Sequence, residues 1–174
     1  TMTPMAELVV CGLEDLPEAV ASTAPSQVVS ILGDKDFPEL AGREHLRLRF
    51  HDIDEAQEGL TIPGEAAIRE LLDFAAAWPR EQPMVIHCLL GVSRSPAAAL
   101  AILSQLNPGR EADCVRELAT VAPRVRPNRA VLALADGVLG CEGRLVTAAR
   151  ELGDGPYLGL PGVFRLAATL DKPS

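Results

Sequence analysis

The sequence predicts an α/β fold, with a central, mostly parallel sheet of four to five strands flanked by helices. Short, near-continuous apolar runs at 7–13 (ELVVCGL), 27–33 (QVVSILG) and 84–86 (MVI) read as strands covered on both faces. Segments of helical spacing separate these runs, the alternation that parallel-sheet crossovers require. With 174 residues and a hydrophobic share of 48%, the chain has enough apolar material for one domain, 1–174, with a real core.

Each element has its own signal. After the first strand, 14–24 is a short helix opened by acidic residues and ended by Pro25. The second strand gives way to a polar loop, 34–42. Residues 45–50 (HLRLRF) alternate, with Leu46, Leu48 and Phe50 on one face and His45, Arg47 and Arg49 on the other. This is a half-exposed strand suited to a sheet edge. A polar, acidic loop follows at 51–61. The helix at 63–78 is marked by Pro63 at its start and by Ala67, Leu71, Phe74 and Trp78 at helical spacing. Residues 79–83 turn into the central strand.

From Pro96 to 106 the chain is Ala- and Leu-rich and reads as a helix, with Ser95 as N-cap and Pro96 at the first helical position. Asn107-Pro108-Gly109 breaks the chain, and 111–121 is a helix ended by Pro123. An extended basic turn at 124–127 leads to Asn128, the cap of a helix reaching about 139, and a further helix covers 144–152. The tail from about 153 to 174 is Gly/Pro-rich and expected to be irregular, with 163–170 packing back.

Aromatic residues are few, so the core is aliphatic. The net charge is −8, with 14 Arg and only Lys35 and Lys172. An acidic chain is poorly suited to a nucleic-acid backbone or an anionic membrane, and neither is expected as a partner. No apolar run approaches ~18 residues, so no membrane span is expected. Residues 1–6 lack a basic stretch followed by a long apolar core, so no secretory leader is expected either. Cys11, Cys88, Cys114 and Cys141 show no metal-ligand spacing. These features point to a reducing cytoplasm and no metal or other cofactor.

The chemistry concentrates in 84–96, a strand, a tight loop and a helix start. Strand–loop–helix places backbone N–H groups where the helix macrodipole favours an anion. Gly91 supplies the permissive backbone for a loop whose amides converge as a nest. Arg94 adds a planar fork that grips two oxygens of one phosphate. Cys88 lies in the same positive field, which favours its thiolate, and a thiolate beneath a bound phosphate is set for in-line attack. The phosphate-binding positions are therefore Leu89, Leu90, Gly91, Val92, Ser93 and Arg94. Expulsion of the leaving group needs a proton, and hydrolysis of a phosphocysteine needs a base; one carboxyl serves both. Asp52, Asp54, Glu55 and Glu58 in the 51–61 loop are the candidates.

The run His87, Cys88, Leu89, Leu90, Gly91, Val92, Ser93, Arg94, Ser95 resembles the His-Cys-x5-Arg-Ser/Thr signature of cysteine-dependent protein tyrosine phosphatases. The likeness is to small, bacterial-type, dual-specificity enzymes, and it covers roughly 45–140. It implies a phosphotyrosine-phosphatase-like fold and hydrolysis of phosphotyrosine, with phosphoserine and phosphothreonine as further substrates. The partner would be a phosphorylated protein or a small phosphomonoester. The order strand, short loop, helix, signature carries the general acid to Asp52, with Asp54 as the alternative. His87 would orient the loop and keep Cys88 ionised, against a plain role in closing the strand. The Ser95 hydroxyl would bond the departing thiolate, beside its capping role. Asn128 would brace the phosphate loop or cap its helix. Lipid phosphatases of this superfamily often carry lysines at the loop's variable positions; Leu89, Leu90, Val92 and Ser93 carry none, which disfavours inositol phosphates. Two other functions fit a strand-to-helix cysteine loop: a non-catalytic phosphoprotein-binding module, and a rhodanese-like sulfurtransferase.

Overall fold

A computed structural model of the chain describes residues 6–153 and 158–171. Five strands form one sheet: β1 (Glu7–Gly12), β2 (Gln27–Leu32), β3 (Glu44–Arg49), β4 (Met84–Cys88) and β5 (Phe164–Ala167). Their spatial order is β3-β2-β4-β1-β5, and every pairing is parallel except that of β5 with β1. The helices are α1 (Leu16–Thr23), α2 (Glu65–Ala76), α3 (Arg94–Leu106), α4 (Glu111–Val121), α5 (Arg129–Leu139) and α6 (Arg144–Ala149), the last continued by a 3-10 turn, Arg150–Leu152. The expected α/β class and mostly parallel sheet are what the chain adopts.

The pleat divides the core in two. Met84, Ile86 and Cys88 of β4 share one face with Leu8, Val10, Val29 and Ile31, and this face packs against the larger helical layer. Val85 shares the other face with Val9, Cys11 and Val28 beneath Leu16 and Ala19 of α1. The three central strands β1, β2 and β4 are buried almost throughout, which is why they read as unbroken apolar runs. β3 lies at the edge with Arg47 and Arg49 exposed, as its alternation requires.

Three expectations need correction. The buried stripe of α2 is Ile68, Leu71, Leu72 and Ala75, with Trp78 beyond the helix end; Ala67 and Phe74 are only partly buried. The helix begins at Glu65, two residues later than Pro63 suggested. Ser95 is not the cap of the signature helix. The Ala97 N–H donates to the Ser93 carbonyl at 3.1 Å, which makes Ser93 the N-cap and puts Pro96 third in the helix. Pro96 sits there without cost because that N–H has no intrahelical partner in any case. The tail packs back over 163–170 as expected, and does so as a strand: Phe164 and Leu166 turn inward and β5 pairs antiparallel with β1. Asn107 fastens this segment, donating to the Ala168 carbonyl and accepting from the Leu170 N–H.

Candidate active site

Cys88 is the last residue of β4, and its loop runs directly into α3. Gly91 has φ +75°, the left-handed region in which a side chain is strained. A Cβ there would also lie 2.8 Å from the Gly12 nitrogen and 2.9 Å from the Cys11 carbonyl carbon. Gly12 is constrained from the other side: its added Cβ would meet the Leu89 oxygen at 2.9 Å. Two glycines thus allow the end of β1 to press against the loop. No local pattern marks Gly12 as part of the site.

The loop carbonyls are turned outward by partners from three directions. Leu89 O accepts the Leu13 N–H at 3.0 Å, Val92 O the Arg126 N–H at 2.8 Å, and Ser93 O the Asn128 N–H at 3.1 Å. In a planar trans peptide the next N–H points the opposite way. The amides of Leu90, Ser93 and Arg94 are therefore directed toward the loop's interior, at the positive end of α3. The Gly91 N–H reaches Cys88 Sγ at 3.3 Å, and Ser95 Oγ lies 3.1 Å from the same sulfur. Ser95 is fully buried, so its hydroxyl is committed to this contact and a long one to the Cys11 carbonyl at 3.4 Å.

Arg94 is 8% exposed. Its NH1 donates to the Phe50 carbonyl at 2.9 Å, which ties the guanidinium to the chain just beyond β3. Its Nε is buried and finds no hydrogen-bond acceptor among the described residues. Such a group costs free energy unless something accepts from it.

Asp52 lines two neighbouring cavities and Asp54 one of them. Asp52 lines a cavity of about 340 Å³ together with Cys88, Leu89, Leu90, Val92, Ser93 and Arg94. Asp54 lines a neighbouring cavity of about 260 Å³ with Arg126 and Asn128, away from the sulfur. Ser93 Oγ donates to Asp52 Oδ1 at 2.6 Å, and Asn128 Nδ2 donates to the same oxygen at 2.9 Å. Asn128 Nδ2 also reaches the Ile53 carbonyl, while its Oδ1 accepts the Val131 N–H at 3.0 Å. The Asn128 side chain thus caps α5 and holds the acidic loop at Asp52 and Ile53, and only its backbone N–H bonds the phosphate loop, at the Ser93 carbonyl.

His51 fixes the acidic loop from behind. Its N–H donates to Thr61 O at 2.8 Å, its Nδ1 accepts from the Thr61 N–H, and its Nε2 lies 2.9 Å from Asp34 Oδ1. His87 is fully buried, with Nδ1 on the Cys88 carbonyl at 3.0 Å and Nε2 on Ser30 Oγ at 2.6 Å. Burial pushes its pKa down to about 4, with the bond to the Cys88 carbonyl opposing and His45 and Arg94 assisting. The ring is neutral at physiological pH. Ser30 was missed in the sequence, although one hydroxyl inside QVVSILG was the available signal.

Burial also sets the other thiols apart. Cys11 is pushed up to about 12, Cys114 to about 11 and Cys141 to about 12. All four cysteines are free. Among the described residues no cluster of three or more His, Cys, Asp or Glu could hold a metal ion, and no helix is long and apolar enough to cross a membrane.

No protein-family model matches the sequence, and no curated relative aligns with it. Solved structures do match. The dual-specificity phosphatase DUSP15 superposes with TM-score 0.62 at 16% identity, over 87% of this chain and 93% of that one. PTPMT1 in complex with PI(5)P gives TM-score 0.61 at 16% identity, over 76% of this chain and 90% of that one. The Yvh1 phosphatase domain from Chaetomium thermophilum gives TM-score 0.56 at 16% identity, over 79% and 93%. At such identity the likeness is one of fold. The architecture of this chain is that of the dual-specificity type of cysteine-dependent phosphatase.

Proposed function

We propose that this chain, as a single domain, is a phosphomonoester hydrolase acting on phosphotyrosine, and also on phosphoserine or phosphothreonine, through a phosphocysteine on Cys88. One observation carries the reading: Cys88 shares its cavity with Asp52 and with Arg94, whose buried Nε has no acceptor among the described residues. A phosphoryl oxygen would satisfy that donor. The inward amides of Leu90, Ser93 and Arg94 would bind the remaining oxygens.

In the first step the Cys88 thiolate attacks phosphorus, an S–P bond forms, and the ester P–O bond breaks. The leaving oxygen takes a proton from Asp52. Because Oδ1 of Asp52 accepts from Ser93 and Asn128, Oδ2 is the oxygen that carries it. In the second step water attacks phosphorus, Asp52 takes the water's proton, and the S–P bond breaks. The Ser95 hydroxyl stabilises the thiolate as it departs, consistent with the 3.1 Å contact. His87 orients the Cys88 carbonyl and transfers no proton to substrate.

The substrate is a phosphorylated protein or small phosphomonoester. Leu89, Leu90 and Val92 give the cavity an uncharged wall, which favours a single phosphate over an inositol polyphosphate. Four free cysteines and a thiolate nucleophile suit a reducing cytoplasm.

The test is turnover of a chromogenic aryl phosphate. It should survive a chelator and vanish in Cys88→Ser; activity retained by that variant overturns the reading. Asp52→Ala should lose most activity on alkyl phosphates and far less on activated aryl phosphates. Equal loss on both would remove Asp52 as the acid. Phosphotyrosine peptide and PI(5)P assayed side by side decide the substrate class, with the peptide expected to be preferred.

A further inference from the structure

The signature histidine does not end at its own bonds. His87 Nε2 meets Ser30 Oγ at 2.6 Å, and Ser30 Oγ meets His45 Nε2 at 2.7 Å. Strand register explains the alignment: Ser30 lies opposite His87 across β2–β4, and His45 lies opposite Val28 across β2–β3, all on the α1 face of the sheet. The line crosses three strands, from the exposed edge to the nucleophile.

Valence fixes its direction. The Cys88 carbonyl can only accept, so the proton of neutral His87 is on Nδ1 and its Nε2 is an acceptor. Ser30 must then spend its single O–H on His87 Nε2. Toward His45 it has only lone pairs left, so His45 Nε2 carries a proton and donates. Every bond runs one way: His45 N–H to Ser30, Ser30 O–H to His87, His87 N–H to the Cys88 carbonyl.

We propose that Ser30 and His45 are positioning residues for the nucleophile, holding His87 in the Nδ1–H tautomer and so fixing the peptide that follows Cys88. The reasoning rests on the phosphatase reading only for its consequence in turnover. In that trans peptide the carbonyl held by His87 sets the opposite direction of the Leu89 N–H, the first amide of the loop. If the proton moved to Nε2, two lone pairs would face one another at the Cys88 carbonyl and the peptide would rotate. Ser30 is fully buried, so nothing else can replace its hydroxyl. The charged and titratable groups acting on the rings are Arg47 on β3 for His45, and His45 together with Arg94 at the start of α3 for His87. Cys11, paired with His87 on β1, stays neutral because its thiol is pushed up to about 12. Burial lowers the pKa of His45 as well, so both rings are neutral near pH 7.

Long-range proton–nitrogen NMR on the intact protein tests this without substrate. Only three histidines are present, which makes assignment direct. His51 accepts at Nδ1 from the Thr61 N–H, so it carries its proton on Nε2, as His45 does. His87 should therefore be alone in the Nδ1–H form at pH 7; an Nε2–H form for His87 overturns the proposal. The second readout is the pH profile of iodoacetate alkylation at Cys88. Ser30→Ala should move its midpoint upward by about half a pH unit or more, a roughly threefold loss of thiolate at lower pH. His45→Leu, at the half-buried edge, should move it the same way by less, and His45→Gln, which restores an N–H donor, should return it. Should Ser30→Ala fail to fold, the two His45 variants decide. An unchanged profile in His45→Leu refutes the proposal. Absent turnover with the tautomer pattern intact would instead refute the phosphatase reading and leave this inference standing.

Discussion

His87 makes the stability of this protein sensitive to acid, and the size of the effect follows from its burial. In the unfolded chain the ring titrates near 6.5; in the folded protein burial pushes it down to about 4. The unfolded state therefore binds a proton more readily across that interval. The stabilisation is complete above pH 6.5 and is lost as pH falls toward 4, below which both states are protonated and no further loss arises. The interval of about 2.5 pH units corresponds to about 3 kcal/mol, a large part of the 5–15 kcal/mol typical of a domain. For a chain of this length that is a fall in Tm of about 10 °C. His45, also lowered by burial, adds loss of the same sign. Urea unfolding at pH 7, 6, 5 and 4.5 measures the slope, and His87→Gln removes the titrating ring while keeping polar atoms in the site. The wild-type curve should fall more steeply than the variant's between pH 6.5 and 4.5. Parallel curves with equal m-values would show that burial does not suppress the charge of this histidine.

Three other changes address the loop and its supports. Gly91→Ala should cost at least about 2 kcal/mol and most of the turnover, because it adds left-handed strain to a backbone collision with Gly12 and Cys11; near-normal unfolding would contradict the close approach. Asn128→Ala should lose about 1 kcal/mol from the α5 cap and slow turnover of alkyl phosphates, whereas Asn128→Asp keeps an acceptor for Val131 but sets a carboxylate against Asp52. Activity surviving in Asn128→Asp would detach Asn128 from the acid. Iodoacetate at pH 6.5 should place one adduct on the folded protein, at Cys88, which is buried but lines the cavity of about 340 Å³, since the other three thiols are pushed up to about 11 or 12. Peptide mapping that finds modification at Cys114 or Cys141 would refute this.

What could be read in advance was what lies contiguous in the chain. Cys88 through Ser95 forms one loop, so its residues identify one another, and Gly91 fills the left-handed position its place in the loop demands. Asp52 was reachable because it closely follows the alternating edge strand, and the order strand, short loop, helix, signature places the expected acid there. Gly12, Ser30 and His51 were not reachable as site residues, because each acts through a partner ten or more residues away in the chain or across the sheet. The phase of α2 was misjudged for another reason. Its alanines are small enough for either side of the helix, so they do not distinguish an Ala67–Phe74 stripe from the Ile68–Ala75 stripe that forms. The last strand was hidden by length: four residues alternating after a Gly/Pro-rich stretch give little signal until β1 offers an edge to pair with.

Asn128 has a kinetic implication. One amide side chain ties the carboxylate of Asp52 and the Ile53 carbonyl to the start of a helix, while its own N–H holds Ser93. On the proposed function, acid, nucleophile loop and helix are thereby tied together before any ligand arrives. A phosphatase tied in this way needs no closure of these three parts on its substrate, so its slow step would be bond breaking and not a conformational wait, and turnover would be indifferent to solvent viscosity.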